Sequence, residues 1–349
     1  MPLPKVDNDY LVDFLVKLLN IPSPTGFTEN AIAFVEKTLS QFGQLELSRT
    51  RKGALVAKWV GQSDKAPIAL TAHVDTLGAM VKDIKSNGRL QLTRIGGLVL
   101  NAVETEGCWV HTSKGEKIRG SYMLNMSAAH VYAAKVSETK RDEDAMEVRL
   151  DAHVLNPKET RELGIEVGDF VSFDARVELT NGFIRSRHLD DKACVANIVA
   201  AIKSLAEAGQ SPARTVYFHI SNYEEVGHGA STGIPSDVHE LVTVDMAAIG
   251  AGQSSDEYHT TICVKDSGGP YHHGLSTKLR KIADANGISY KVDIYPFYGS
   301  DGEAFWRAGG DVAVALIGPG VDASHNYERT HIDALTATTN WIMAYLLSD

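Results

Sequence analysis

Apolar side chains define the first element of this chain by their spacing. Leu11, Phe14, Leu15, Leu18 and Leu19 lie three and four positions apart, so they share one face of an amphipathic helix over residues 9–20. IPSPTG follows, and its prolines and glycine stop that helix. A second helix fits roughly residues 29–42 and ends before Gly43. Beyond it the period changes. The short apolar runs IALTA (68–72), TVYFHIS (215–221), LVTV (241–244) and VAVALI (312–317) read as strands buried on both faces. Helix-like stretches at roughly 192–207, 275–286 and 302–309 separate several of them. Buried strands alternating with helices predict an α/β sandwich around a mostly parallel sheet.

From about Val81 to Asp174 the rhythm is different. RLQLTRI, CWVHTS, KIRGSY, MEVRLDAHV and DFVSFDARVEL alternate over short stretches, with glycine or charged turns between them. That pattern predicts a small antiparallel β-domain. One helical patch, NPKETRELG, interrupts it, with Asn156 placed as N-cap and Pro157 at the first helical position. The expected organisation is a catalytic α/β domain of residues 1–80 and 175–349 that carries an inserted β-barrel of residues 81–174.

Composition narrows the setting. The 349 residues are 44% hydrophobic and 22% charged, which is ordinary for a folded protein. The net charge of −10 disfavours nucleic acid and anionic membranes as partners, since both require a basic face. The start MPLPKVDNDY lacks the layout of a secretory signal. No apolar run approaches the ~18–20 residues that span a bilayer. Cys108, Cys194 and Cys263 are odd in number and far apart, so they form no disulfide framework or zinc knuckle. A cytoplasmic protein with reduced thiols is expected.

Candidate chemistry gathers at or just beyond predicted strand ends. His73-Val74-Asp75 follows IALTA, Asp190-Asp191 follows residues 183–188, and Glu224-Glu225 follows TVYFHIS. Asp245 follows LVTV, and His325 comes after VAVALIG and a glycine-rich turn. Each piece alone has an ordinary structural reading: a strand-end cap, a helix N-cap, solvated surface charge, a loop histidine. Together they fall where an open α/β sheet binds ligands, beyond the carboxyl ends of its strands. Two imidazoles with several carboxylates suit zinc, cobalt or manganese. The set suffices for two ions about 3.5–4 Å apart, each with one histidine and one carboxylate of its own and one carboxylate shared. Glu224 and Glu225 are expected on an extended segment, where neighbouring side chains point to opposite sides.

AHVDTLG, RHLDDKACVA, NYEEVGHGAS, TVDMA, YGSDGEAFWRAG and ASHNYERTH occur in the order of the M42 family of metallo-aminopeptidases, which the chain resembles over nearly its whole length. The resemblance implies a three-layer phosphorylase/hydrolase-like sandwich with an inserted β-barrel. It implies hydrolysis of N-terminal residues from short peptides by a metal-bound hydroxide. His73 and Asp245 would bind one metal, Glu225 and His325 the other, and Asp190 would bridge them. Asp191 would shape the adjoining backbone, Asp75 would orient His73, and Glu224 would be the general base. The family resemblance also implies a homo-oligomer, as large as a hollow dodecamer built through the inserted domain. Thr76 stands where the family commonly has glutamate, and Asn326-Tyr327-Glu328-Arg329 replaces the commoner Ser/Thr-Pro after His325. The SHNYERTH form resembles a bacterial subgroup linked to metabolism of a small modified-peptide osmoprotectant.

Other residues have plainer expectations. His272-His273 is expected in a loop near the pocket, and His188 lines the pocket or ends a strand. Cys194 is expected as a buried packing residue. Gly299 to Gly302 reads as a turn and helix start, and Lys140 to Asp144 as a solvated turn. Two rivals to the aminopeptidase reading are a narrow amidase or deacylase of one small metabolite and a catalytically silent metal-bound assembly subunit.

Overall fold

The computed structural model describes residues 2–349. The helix Asn8–Leu19 buries the five apolar residues that its spacing selects, and Asp7 caps it by accepting the Tyr10 amide. The helix Glu29–Leu39 follows. The main sheet runs, edge to edge, Leu45–Arg49, Leu55–Trp59, Arg214–Ser221, Ser63–His73, Glu240–Val244, Ala313–Val321, Thr260–Lys265 and Tyr290–Ile294. Its centre is parallel, because Ser63–His73 pairs in parallel with Arg214–Ser221 and Glu240–Val244, and the latter with Ala313–Val321. Antiparallel pairs occur toward both edges.

The pleat divides the core into two. Ile68, Leu70, Ala72, Val242, Val244, Ala315 and Ile317 face a layer of helices that includes Leu189–Glu207 and Ile332–Leu346. Ala69, Leu241, Val314 and Leu316 face the opposite side, where Phe305 and Trp306 of the short helix Asp301–Arg307 pack. Period-two alternation thus serves both faces at once. The strands are uninterrupted apolar runs for that reason.

Between Gly78 and Phe173 six strands close an antiparallel barrel in the order Gly78–Ile84, Leu90–Ile95, Met146–Leu150, Lys117–Leu124, Gly107–His111 and Phe170–Phe173. The barrel has its own core, with Val81, Leu90, Leu92, Val110, Tyr122, Val148 and Val171 inside. Asn156 caps the helix Pro157–Glu162 through the Glu159 amide, with Pro157 at its start. Short helical turns at Leu100–Val103, Ala129–Tyr132 and Lys135–Glu138 also occur there; the strand-like alternation did not announce them. The Lys140–Asp144 run is less solvated than its charges suggest, because Arg141 packs inward to pair with Glu104. No described helix is long and apolar enough to cross a membrane.

Candidate metal centre

Parallel strands deliver most of the site to one end of the sheet. His73 is the last residue of Ser63–His73, and Asp245 directly follows Glu240–Val244. Glu224 and Glu225 come three and four residues after Arg214–Ser221, and His325 follows Ala313–Val321. Asp190 arrives differently. It sits in the irregular first turn of Leu189–Glu207, beyond a small sheet of Glu178–Thr180, Phe183–Ser186 and Glu328–His331. A cis peptide bond joins Asp190 to Asp191.

The seven predicted site residues converge. Asp190 lies between two imidazoles, its Oδ1 3.3 Å from His73 Nε2 and its Oδ2 3.6 Å from His325 Nε2. Donor atoms of His73, Asp190 and Asp245 lie within 4.8 Å of one another, all buried. Glu225 Oε2 is 3.6 Å from His325 Nε2, and Glu224 Oε2 is 3.5 Å from His73 Nε2. The Glu224 side chain is 16% exposed and that of Glu225 5%, so Glu224 is the more open to substrate.

Both imidazoles are presented in the same way. His73 Nδ1 is 2.9 Å from the Asp75 backbone oxygen, and His325 Nδ1 is 3.3 Å from the Gly97 backbone oxygen. A carbonyl only accepts, so each Nδ1 carries a hydrogen, and in the neutral ring each Nε2 keeps its lone pair for the centre. His73 Nε2 is buried without a hydrogen-bond partner. An orphaned imidazole nitrogen facing clustered carboxylates is a donor set that could hold a divalent cation.

The electrostatics agree. Burial pushes the Glu224 and Glu225 carboxyls well above the usual range, and neighbouring acids add to the shift. Burial, then Asp190, raises Asp245 to about 7. Against its burial, the surrounding acids raise His73 well above its ordinary value. Although burial opposes it, Asp190 is held below its own by positive charge on His73 and His325. The cluster thus calls for positive charge.

Two expectations change in detail. Glu224–Val226 is a turn of 3₁₀ helix and not an extended segment, so the two glutamates diverge through turn geometry. The Asp75 carboxylate is 3.5 Å from His73 Nδ1, farther than its own backbone oxygen. Its oxygens instead accept the Glu224 amide at 3.2 Å, the Glu225 amide at 3.3 Å and the Thr25 hydroxyl at 2.7 Å.

A cavity of about 550 Å³ opens beside the centre and is lined by Asp190, Glu224, Glu225, Asp245 and His325. Tyr298, Gly299, Ser300 and Arg307 line it too, which places the predicted turn at the pocket. His272 and His273 lie elsewhere: His272 caps the helix His273–Ala285, and His273 borders a separate cavity near the last residues of the chain. His188 borders another cavity with Trp109 and Asp174. Cys194 is buried, as a packing residue would be. Sequence reasoning missed Gly97, which meets His325 across a long separation, and Glu328, which joins nearby His325 to distant Asp190. It gave no role to Arg307 either.

A mostly parallel sheet with an inserted barrel, and a buried His/Asp/Asp cluster that could hold a metal ion beyond its strand ends, fit a hydrolase of the metallopeptidase class. The family profile for M42 glutamyl aminopeptidases matches residues 53–340, and the chain belongs to that family; it is a peptidase of the aminopeptidase type. The Bacillus subtilis (strain 168) protein YhfE is 46% identical over 338 residues, covering 97% of each chain. An aminopeptidase from the archaeon Desulfurococcus kamchatkensis superposes with a TM-score of 0.87 at 21% identity, over 97% of this chain and 95% of that one. The Pyrococcus horikoshii TET1 peptidase, described as assembling into a tetrahedron or a large octahedral shell, superposes with a TM-score of 0.84 at 21% identity, over 97% and 100%.

Proposed function

We propose that the protein is a dinuclear metal-dependent aminopeptidase that removes N-terminal residues from short peptides, with Glu224 as general base. The observation that carries this reading is the place of Asp190 between two imidazoles, 3.3 Å from one and 3.6 Å from the other. His73 and Asp245 would hold one divalent ion, Glu225 and His325 the second, and Asp190 would bridge them. The mixed nitrogen and oxygen set suits zinc or cobalt, and manganese also. Bound there, such ions polarise the scissile carbonyl and lower the pKa of the attacking water.

The chain's own residues do the rest. Glu224 takes the proton of the attacking water and passes it to the leaving amine. Burial raises its proton affinity, and positive charge brought into the centre would lower it again toward neutrality, where a base works best. Asp75 positions that base through the Glu224 amide, and holds His73 through its own carbonyl. The cavity, about 550 Å³, has the size of a small-ligand site. It suits the end of a short peptide and not a folded chain.

The reading extends to assembly. A homo-oligomer, as large as a dodecamer, formed through the inserted barrel of residues 81–174 would restrict access to short peptides. Light scattering that returns a monomer mass removes this part.

The deciding experiment is hydrolysis of a peptide panel, with free or acetylated N-termini, by zinc- or cobalt-loaded protein before and after chelation. Chelator-sensitive cleavage of the free peptides alone is expected. Cleavage of the acetylated peptides alone replaces this reading with an amidase or deacylase. Two bound ions with no cleavage replace it with a silent assembly subunit or a narrow metabolite enzyme.

A further inference from the structure

Three loops that carry the centre are held from behind by carboxylates that do not line the cavity. Asp75 accepts the amides of Glu224 and Glu225. Asp191 Oδ2 accepts the His73 amide at 3.2 Å. The third such carboxylate belongs to Glu328, which no motif reading assigned.

Glu328 opens the strand Glu328–His331 and is 2% exposed. Its Oε2 accepts the Asp190 amide at 3.1 Å, and its Oε1 accepts the His325 amide at 3.1 Å. Among the described residues neither oxygen has a Lys or Arg partner within salt-bridge distance. A buried carboxylate is costly; the two backbone N–H groups offset part of that cost, while burial and Asp190 still push the Glu328 carboxyl above the usual range. The two amides belong to the shared carboxylate and to the histidine of one half-site. His325 has φ +64°, in the left-handed region that non-glycine residues enter only when the surroundings hold them there. Glu328 supplies that hold.

We propose that Glu328 is a positioning residue which fixes the separation of Asp190 and His325, and so organises the His325–Glu225 half of the centre more than the His73–Asp245 half. This rests on the dinuclear reading above. Each carboxylate oxygen takes one amide, so the side chain clamps two loops to one spacing. Glutamine in its place keeps one accepting oxygen and turns an NH₂ toward the other amide. One loop is then released while the shape is retained.

The test is titration of the metal-free full chain with zinc or cobalt, wild type against Glu328→Gln, with thermal unfolding followed in chelator and in metal. Wild type should bind two ions. The variant should bind one with near wild-type affinity and the other about 10- to 100-fold more weakly, the usual range for losing a group that orients a ligand. Its melting temperature in chelator should move little, while the rise on adding metal shrinks. Asp191→Ala, which removes the acceptor of the His73 amide, should weaken the other ion instead. Two ions bound by Glu328→Gln at wild-type affinity, or both weakened equally, overturns the proposal. So does a stability loss of the same size with and without metal. If Glu328→Gln does not fold, Glu328→Asp keeps the charge but is one methylene too short to reach both amides. It should show the same selective loss, and unaltered binding of both ions in it overturns the proposal. A wild type that binds no second ion instead refutes the dinuclear reading itself.

Discussion

The Asp75 carboxylate holds the backbone of Glu224: Oδ1 accepts that amide at 3.2 Å, while Oδ2 accepts the Glu225 amide at 3.3 Å. One side chain therefore positions the proposed base and a proposed ligand together, and its own carbonyl fixes the tautomer of His73. In Asp75→Asn an NH₂ group must face one of those amides. We expect kcat to fall by about 10- to 100-fold, with a smaller change in KM. Steady-state kinetics on a free tripeptide at saturating metal measures both.

Glu224→Gln removes the base and leaves the proposed ligands in place. Both ions should stay bound by metal analysis, while kcat falls by about 10²- to 10⁴-fold, the usual contribution of a general base. Full turnover in this variant would sink the assignment.

Gly97→Ala is a steric probe of His325. Gly97 is not in the left-handed region, unlike Gly96 at φ +71°, so alanine is tolerated by its backbone. Its Cβ would lie 2.9 Å from His325 Nδ1, and the ring must swing away. We expect one ion to bind about 10-fold more weakly, read by competition with a fluorescent chelator.

In chelator, stability should fall as pH rises from about 4 to about 7. Asp245 has its proton affinity raised from the ordinary 3.8 to about 7 in the folded state. The folded form therefore binds more protons across that window, and its advantage is present at low pH and lost on the way up. Asp245→Asn should flatten the trend. Saturating metal should oppose it, because the ligands bind in their deprotonated forms. Urea unfolding at both ends of the window, with and without metal, checks all three.

The fold was readable because it rests on local periodicity. Leu11 through Leu19 advertise a helix face, and the central strands are apolar on both sides, so their runs stand out. The proposed ligands were readable because five short motifs each end a strand or follow one. Glu328 and Gly97 were not. Gly97 meets His325 from far along the chain, and Glu328 joins its near neighbour His325 to the distant Asp190, so a glutamate in SHNYERTH or a glycine in RIGGL has no local mark of that duty. The path of Glu224 and Glu225 was misjudged for a related reason: the 3₁₀ turn that carries them is held by the distant Asp75.

The carbonyl that steadies His325 belongs to the barrel, not to the sheet. Gly96 presses on the same region, since a Cβ there would lie 3.0 Å from the Glu225 backbone oxygen. In the proposed centre, barrel docking and metal occupancy would therefore be thermodynamically linked. If an ion binds beside His325 as proposed, the factor by which the docked barrel strengthens binding of that ion equals the factor by which the ion strengthens docking in return.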